Sequence, residues 1–198
     1  HGIVGEEYGA RDGAGRFRWI VDPIDGTKAF IMGSPLWGTL VGLIDGEEAV
    51  LGLMNQPFTR ERIWSGARQT FWRVGDAKAR RIETRPCRRL DEAILTTTSP
   101  ELIGGPDNAA RFDALKSRVR MTRYGGDCYH YALLAAGGGD LVVEAGLKPH
   151  DVVALIPIIE RAAGRLRPSA RGPATAGGSI VAAGDARMHA EALAILGR

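Results

Sequence analysis

Residues 19–27, which read Trp-Ile-Val-Asp-Pro-Ile-Asp-Gly-Thr, constrain the fold more than any other stretch of the chain. The apolar run predicts the end of a buried strand. We expect Pro23 to end that strand, because proline has no backbone N–H to donate. Gly26 and Thr27 are a typical helix start. The stretch therefore predicts a strand, a stiff turn and a helix N-terminus, with Asp22 and Asp25 directed toward one spot beside it.

This turn has two interpretations. Asp and Gly are common turn residues and Thr is a common helix cap, so the stretch could be purely structural. Clustered carboxylates beside a helix N-terminus also suit a hard divalent cation and a phosphate group. Other acidic residues favour the second interpretation, since Glu6 follows the apolar pair Ile3-Val4 and Asp151 precedes an apolar helical segment. Taken alone, Asp151 is better explained as the N-cap of that helix.

The hydrophobic pattern predicts two kinds of organisation along the chain. Strand-like runs joined by the Asp45-Gly46 hairpin signal predict an antiparallel meander, and later alternation of strands and helices predicts α/β layering. We expect strands at residues 37–44, 49–54, 62–65, 71–74, 93–98, 119–123, 141–144 and 180–183, and helices at residues 109–117, 128–136, 152–163 and 186–196. Pro157 should kink the third of these helices. Residues 1–88 then form an antiparallel-sheet half and residues 89–198 an α/β half of one compact unit.

Length and composition exclude several classes of protein. A chain of 198 residues with 44% hydrophobic residues can bury a sizeable core. The net charge of +3 comes with scattered arginines, which argues against a nucleic-acid-binding surface. No apolar run approaches the ~18 residues that a membrane span needs. Cys87 and Cys128 are too few for a disulfide framework and lack the spacing of a metal site with the histidines, so we expect a cytoplasmic protein.

Several motifs, in their order along the chain, resemble the inositol monophosphatase family of magnesium-dependent, lithium-sensitive phosphatases. They are Gly5-Glu6-Glu7, Asp22-Pro23-Ile24-Asp25-Gly26-Thr27, Gly137-Gly138-Gly139-Asp140 with Glu144, and Asp151. The resemblance covers essentially the whole chain and implies a layered α-β-α-β-α sandwich. Family members carry a helical segment ahead of the first motif. Because this chain opens at His1 without a methionine, we expect it to be N-terminally truncated and to lack that segment.

The resemblance also implies a metal site. Glu6, Asp22 and the backbone carbonyl of Ile24 would hold one Mg²⁺ ion. Asp22, Asp25 and Asp151 would hold a second, with Asp22 bridging. The family implies two or three ions in all, with Mn²⁺ as a substitute and Li⁺ as an inhibitor. The antiparallel half would thus carry most of the metal ligands, and the α/β half would complete the site.

Catalytic and phosphate-binding roles follow from the same resemblance. Glu6, with the hydroxyl of Thr27, would orient and deprotonate the attacking water. The backbone amides of Gly26 and Thr27 would bind the phosphate at the helix N-terminus. No covalent phosphoenzyme is implied.

The substrate is suggested by residues 123–131, which read Arg-Tyr-Gly-Gly-Asp-Cys-Tyr-His-Tyr. This string, together with residues 55–62, resembles the branch of the family that hydrolyses L-histidinol phosphate in histidine biosynthesis. Asp127 and Glu144 could bind the ammonium or imidazole group of that substrate, although Asp127 could also serve only as a helix cap. His150 stands where inositol-type members have Trp and the histidinol-phosphate branch has Tyr. We expect Tyr129, His130 and Tyr131 to be packing or interface residues.

The sequence therefore predicts a Mg²⁺-dependent phosphomonoesterase that acts on a small phosphate ester, with histidinol phosphate favoured. One alternative is an inositol-1-phosphatase or a broad-specificity sugar or nucleotide phosphatase of the same family. An alternative of another class is a non-catalytic ligand-binding relative. We expect no nucleic-acid or membrane partner, and the apolar residues would allow a homodimer.

Overall fold

The structure, a computed structural model, describes residues 1–7, 9–168 and 172–197. Within these ranges the chain forms two β-sheets and six α-helices. The eight strands of the first sheet are β1 (Gly2–Gly5), β2 (Gly9–Arg11), β3 (Phe17–Asp25), β4 (Gly38–Asp45), β5 (Glu48–Gln56), β6 (Glu61–Ser65), β7 (Thr70–Val74) and β8 (Arg80–Ile82). The five strands of the second sheet are β9 (Ile94–Thr97), β10 (Met121–Tyr124), β11 (Leu141–Leu147), β12 (Arg165–Pro168) and β13 (Gly178–Ala183). The helices are α1 (Thr27–Met32), α2 (Pro106–Lys116), α3 (Asp127–Ala135), α4 (Pro149–Val152), α5 (Leu155–Arg161) and α6 (Ala186–Ile195).

The first sheet is built on the predicted antiparallel meander, which runs from β3 to β8. The hairpin between β4 and β5 turns at Gly46, whose φ of 62° is a left-handed conformation that glycine adopts without steric cost. β1 lies on the other side of β3 and runs parallel to it, with Gly5 opposite Val21. The backbone N–H of Glu6 continues this pairing by donating to the carbonyl of Val21 at 3.2 Å. Two motifs that are separate in the sequence therefore end side by side.

The prediction that Pro23 ends its strand is wrong. β3 continues to Asp25, and its register against β4 shifts between Asp22 and Asp25. A bulge of this kind accommodates proline because the residues inside it leave the regular ladder of hydrogen bonds. The hydroxyl of Thr39 on β4 donates to the carbonyl of Pro23 at 2.8 Å across the irregularity. The strand thus bends at the acidic motif instead of stopping before it.

The second sheet has the order β10-β9-β11-β13-β12, with parallel pairing of β9, β10 and β11. Helices α3, α4 and α5 lie between the two sheets, where α5 packs on β5 and β12 and α3 packs on β9 and β11. On the far side of the second sheet, α6 packs on β13 and α2 packs on α6. The predicted layered α/β fold is confirmed.

Three strands were not predicted, namely β2, β8 and β12. Each lies at an edge of its sheet and spans only three or four residues. Edge strands are commonly short and charged, since an apolar edge would invite aggregation. Their hydrophobic alternation is therefore too weak to be recognised in the sequence.

The single helix predicted at residues 152–163 is wrong in part, because the structure divides this stretch between α4 and α5. The disturbance expected from Pro157 is present, since Pro157 has no N–H to donate to the carbonyl of Val153. The junction packs directly on the first sheet at Gly42 and Gly52. A Cβ at Gly52 would lie 1.8 Å from the carbonyl oxygen of Ala154, and one at Gly42 would lie 2.6 Å from Val153. These two glycines let α4 approach β3 and β4.

Two clusters of buried apolar residues form the interior. One fills the space between the sheets and includes Leu40 and Met54 from the meander together with Leu134 and Ile158 from the helices. The other lies between the second sheet and the outer helices and includes Phe112. Because the first cluster draws on both predicted halves, the boundary between residues 88 and 89 does not separate two cores. The two-part division remains a prediction.

Candidate active site

Three elements bring the predicted acidic residues to one edge of the first sheet. Glu6 follows β1, Asp22 and Asp25 lie on the bent end of β3, and Asp151 lies in α4. The parallel pairing of β1 with β3 places Glu6 beside Asp22. The packing of α4 on β3 and β4 brings Asp151 to the same place from far along the chain.

The side chains form two overlapping groups that could each hold a cation. In one group, ligand atoms of Glu6, Asp22 and His150 all lie within 4.8 Å of one another. In the other, oxygens of Asp22, Asp25 and Asp151 do so. Asp22 belongs to both groups. The arrangement therefore has the form of two neighbouring cation positions that share one carboxylate.

The charges of these groups are not balanced by basic side chains. Burial raises the pKa of Asp22 from 3.8 to about 8, with further contributions from the charges of Asp25 and Glu6, while the amide of Ile24 acts in the opposite direction. Burial likewise raises the pKa of Asp25 to about 7, against hydrogen bonds from Cys128. Among the described residues, no Lys or Arg forms a salt bridge with either aspartate. Gathered carboxylates of this kind are unfavourable without a cation, and their hard oxygens fit a divalent one.

Local hydrogen bonds fix the turn that carries two of these carboxylates. The backbone N–H of Ile24 donates to Oδ1 of Asp22 at 3.0 Å, and the hydroxyl of Thr27 donates to the carbonyl of Ile24 at 3.1 Å. The backbone N–H of Cys128 donates to Oδ2 of Asp25 at 2.8 Å. Each carboxylate keeps one oxygen free of these bonds. The carbonyl of Ile24 likewise keeps a lone pair that could bind a cation.

The start of α1 adjoins this turn, as the sequence predicts. Gly26 precedes the helix with φ 83°, and a Cβ there would lie 3.1 Å from the carbonyl oxygen of Leu36 and 3.2 Å from the side chain of Asp127. Glycine is thus required both by the backbone conformation and by the close approach of α3. The first N–H groups of a helix have no partner within it, so the turn that carries Asp22 and Asp25 is followed directly by N–H groups that are unpaired within α1.

A cavity of about 310 Å³ opens next to the acidic groups. It lies between α3, β11 and α4, and its polar lining is Asp25, Thr98, Asp127, Tyr131, Glu144 and Asp151. Asp25 and Asp151 thus face both the cation positions and the cavity. A small molecule in this space would have one end at the acidic groups and the other between α3 and β11.

Glu144 is held at the wall of this cavity. Its Oε1 accepts hydrogen bonds from the backbone N–H of Thr98 at 2.6 Å and from the Thr98 hydroxyl at 3.0 Å. Burial raises the pKa of Glu144 to about 7, in spite of these bonds. Tyr131 lies nearby with its hydroxyl buried and without a hydrogen-bond partner among the described residues. Tyr131 therefore packs in the core, as predicted, and also forms part of the cavity wall.

Asp127 is the first residue of α3, and the structure does not support its alternative interpretation as a simple cap. Gly126 occupies the N-cap position, and no side chain caps the helix. Asp127 has a φ of 43°, an unfavourable conformation for a residue other than glycine. Burial raises its pKa, while the charge of Lys28 and a hydrogen bond from Thr98 oppose the shift. Backbone strain and a half-buried carboxyl at one cavity residue are typical of a functional position.

Asp151 is not the N-cap of its helix either, because that position belongs to Lys148. Its Oδ2 accepts a hydrogen bond from the backbone N–H of Lys148 at 2.6 Å, which stabilises the first turn. Its Oδ1 is directed toward His150, whose Nε2 lies at 3.4 Å. A structural role and a role in cation binding are therefore compatible in this residue.

His150 is the residue that the sequence reasoning missed. In the sequence it only distinguishes the substrate branches, yet in the structure its Nε2 lies 3.5 Å from Oε1 of Glu6. Its position next to Asp151 in the sequence was the available signal. His130, by contrast, is buried away from the acidic groups, and burial lowers its pKa to about 4.

Two further observations bear on the general class of protein. Within the described residues, no helix combines the length and the apolar character needed to cross a bilayer. Cys87 and Cys128 are both buried free thiols, as their number in the sequence suggests.

Comparison with known proteins gives a consistent family. The family model for the inositol monophosphatase family matches residues 1–197. Among curated proteins, the chain is 42% identical over 207 residues to the chloroplastic bifunctional phosphatase IMPL2 of Arabidopsis thaliana, covering 98% of this chain and 58% of that protein. It is 33% identical over 193 residues to the histidinol-phosphatase of Mycobacterium tuberculosis, covering 97% of this chain and 74% of that protein.

A solved structure gives the same result. The chain superposes on an inositol monophosphatase from Zymomonas mobilis with a TM-score of 0.87 and 40% sequence identity, covering 99% of this chain and 75% of that one. The chain thus spans between about three fifths and three quarters of the length of these relatives. The family model matches residues 1–197, and the solved structure superposes on nearly the whole chain. The chain belongs to the inositol monophosphatase family.

Proposed function

We propose that this protein is a divalent-metal-dependent phosphomonoesterase that hydrolyses L-histidinol phosphate to L-histidinol and phosphate. The observation that carries the proposal is the pair of overlapping acidic groups, which have no Lys or Arg partner among the described residues and border a cavity lined by two further carboxyls. Cations bound at the two acidic groups would support phosphate chemistry. The carboxyls of the cavity would suit a substrate that carries a positive charge.

The cation positions would be held by the residues named from the sequence. Glu6, Asp22 and the carbonyl of Ile24 would hold one Mg²⁺ ion, and Asp22, Asp25 and Asp151 a second. Bound divalent cations supply positive charge that stabilises both the attacking and the leaving oxygen of an in-line displacement. We propose Mg²⁺ with Mn²⁺ as a substitute, and inhibition by Li⁺ in line with the family.

The protein groups then orient the reactants. The carboxylate of Glu6, with the hydroxyl of Thr27, orients the attacking water, and Glu6 accepts its proton. The N–H groups of Gly26 and Thr27 bind phosphate oxygens at the start of α1, where the helix dipole favours negative charge. The leaving alcohol departs toward the cavity, on the side opposite the water.

Substrate selection rests on Asp127 and Glu144. Histidinol phosphate carries an ammonium group and an imidazole, whereas inositol phosphate offers only neutral hydroxyls beyond its phosphate. A buried carboxylate that pairs with an ammonium forms a charge-assisted contact, and such a site rejects ligands that leave the carboxylate unpaired. Burial raises the pKa of both carboxyls, so a cationic ligand beside them would favour their ionised forms. The mycobacterial relative's name, histidinol-phosphatase, supports this choice.

A second candidate is hydrolysis of inositol 1-phosphate or of a wider range of sugar or nucleotide phosphates. The similarity to the Zymomonas mobilis inositol monophosphatase favours it. A non-catalytic ligand-binding relative is disfavoured, because clustered carboxylates without a cation destabilise the fold. The cytoplasmic location, the homodimer and the absence of nucleic-acid and membrane partners stay predictions from the sequence.

The deciding experiment compares three substrates with the purified protein and Mg²⁺. We expect the kcat/KM for histidinol phosphate to exceed those for inositol 1-phosphate and a nucleotide bisphosphate by at least about a hundredfold, the discrimination that buried polar groups can provide. A preference for inositol 1-phosphate would establish the second candidate. Failure to hydrolyse any of the three, in a folded protein that binds Mg²⁺, would favour the binding-protein alternative.

A further inference from the structure

His150 lies at the junction of the two cation positions, although the family resemblance implies only oxygen ligands there. It is the second residue of α4, and its side chain is 12% exposed. Nε2 lies 3.5 Å from Oε1 of Glu6 and 3.4 Å from Oδ1 of Asp151. An oxygen of Asp22 completes a group whose atoms lie within 4.8 Å of one another.

These distances do not describe direct hydrogen bonds. An N–H···O bond has a nitrogen-to-oxygen distance of about 2.7–3.2 Å, and both contacts of Nε2 are longer. Ligand atoms that share one ion behave differently, because bonds of about 2.0–2.2 Å place neighbouring ligand atoms about 3.0–3.5 Å apart. The spacing between Nε2 and Oε1 of Glu6 falls in that range.

We propose that Nε2 of His150 is a ligand of the cation position formed by Glu6 and Asp22, and that this nitrogen raises the affinity of the position for a first-row transition metal ion such as Mn²⁺ more than its affinity for Mg²⁺. The proposal rests on the metal-dependent function proposed above and adds a ligand to its metal site. Imidazole nitrogen is a softer donor than carboxylate oxygen, so it adds more affinity for Mn²⁺, Co²⁺ or Zn²⁺ than for Mg²⁺. Coordination uses the lone pair of Nε2 and places the imidazole proton on Nδ1.

The opposing explanation is that His150 is a positively charged neighbour that only orients Glu6. An imidazolium has no lone pair on Nε2, so it would repel a cation in this position instead of binding it. The two explanations therefore differ in whether a nitrogen atom is bonded to the metal, and this difference is directly measurable.

The test uses Mn²⁺ alone as the probe. Bound Mn²⁺ is detected by electron paramagnetic resonance, and nitrogen coordination by the ¹⁴N modulation of its electron spin echo. The variants are His150→Gln, which keeps a polar side chain, and His150→Tyr, which introduces the tyrosine that the histidinol-phosphate branch of the family has at this position. The control is His1→Gln, which removes an exposed histidine at the opposite end of β1. Circular dichroism verifies that each variant is folded.

We expect ¹⁴N modulation in the unaltered protein and in His1→Gln, and its loss in both His150 variants. The Kd for Mn²⁺ should rise about tenfold or more in these variants, whereas the Kd for Mg²⁺ should change less than about threefold. Bound Mn²⁺ without ¹⁴N modulation in the unaltered protein, or modulation that persists without His150, would overturn the nitrogen ligand and leave the proposed function standing. A folded protein that binds neither Mn²⁺ nor Mg²⁺ would overturn both.

Discussion

Asp22 and Asp140 are both buried aspartates, 1% and 0% exposed, but they lie in opposite surroundings. Asp140, at the turn before β11, faces Arg85, whose Nε donates to Oδ1 at 2.8 Å and whose Nη2 donates to Oδ2 at 2.5 Å. The backbone N–H of Ile94 also donates to Oδ2 at 2.7 Å. Asp22 has a backbone hydrogen bond from Ile24 and is otherwise surrounded by acidic residues and His150.

The difference separates a structural carboxylate from a functional one. The charge of Asp140 is satisfied inside the protein, and it joins the segment after β8 to β9. Asp22 has no Lys or Arg partner among the described residues, and its burial together with the charges of Asp25 and Glu6 opposes its ionisation, so a bound cation would stabilise its charge. Burial alone therefore does not identify a site; the absence of a partner does.

The largest effect should follow from Asp22→Asn, which keeps the shape and the acceptor for the Ile24 amide but removes the shared charge. We expect kcat/KM to fall about a thousandfold or more on every substrate, since both cation positions lose a ligand. Without metal, the free energy of unfolding of the variant should equal or exceed that of the unaltered protein. The reason is that the variant lacks a buried carboxylate whose charge is repelled by neighbouring carboxylates. Steady-state kinetics and urea unfolding in EDTA measure the two effects. Undiminished turnover would contradict the metal assignment.

Asp140→Asn should have the opposite profile. We expect the free energy of unfolding to fall by about 2–3 kcal/mol, because Arg85 loses a bidentate partner, although its side chain is 41% exposed and water can replace part of the bond. The Kd for Mn²⁺ should change less than about twofold.

Urea unfolding and Mn²⁺ titration check this prediction, with Asp76→Asn as the matched control. Asp76 pairs with Arg60 at 3.0 Å but is 98% exposed, so its loss should cost less than about 0.5 kcal/mol. Equal losses in the two variants would show that the bond between Arg85 and Asp140 is no stronger than a surface pair.

A third effect concerns pH and the metal-free protein. The folded protein holds protons on Asp22 up to about pH 8 and on Asp25 up to about pH 7, whereas the unfolded chain releases them near pH 3.8. Between about pH 4 and pH 8 the folded state therefore binds more protons, and its free energy of unfolding falls as pH rises. Saturating Mn²⁺ should reduce this fall, because the ionised carboxylates then have a partner.

Urea unfolding at pH 5, 6, 7 and 8, with EDTA and with Mn²⁺, tests this dependence. In EDTA, the free energy of unfolding of Asp22→Asn should fall less with rising pH, because the variant lacks the titration of Asp22. If the unaltered protein in EDTA, the unaltered protein with Mn²⁺ and the variant in EDTA all show the same pH dependence, the acidic groups do not control it.

The smallest effect is on substrate choice. Asp127→Asn should lower kcat/KM for histidinol phosphate by about ten- to a hundredfold through loss of a charge-assisted contact, and should change kcat/KM for inositol 1-phosphate less than about threefold. Asp107→Asn, which alters an exposed acid on α2, is the control. Equal losses on both substrates would show that Asp127 has only a structural role, at a position where the backbone is strained.

Sequence patterns predicted the fold where their signals were local. The meander followed from alternating apolar residues and from the glycine needed at Gly46, and the start of α1 followed from Gly26 and Thr27. The pattern failed at Pro23, because a bulge lets a strand pass a residue that cannot donate. It was right in part at residues 152–163, where Pro157 cannot donate a hydrogen bond to the carbonyl of Val153 and the stretch is divided between α4 and α5.

The sequence by itself determined which carboxylates are available and which short turn presents Asp22 and Asp25, because turn and helix-start chemistry depends on adjacent residues. Only the tertiary structure placed Glu6 beside Asp22, through the pairing of β1 with β3, and Asp151 and His150 beside both, through the packing of α4 on two glycines. It also distinguished Asp22 from Asp140. The reason is physical: a charge is stabilised or repelled by its neighbours in space, and these neighbours come from distant parts of the chain.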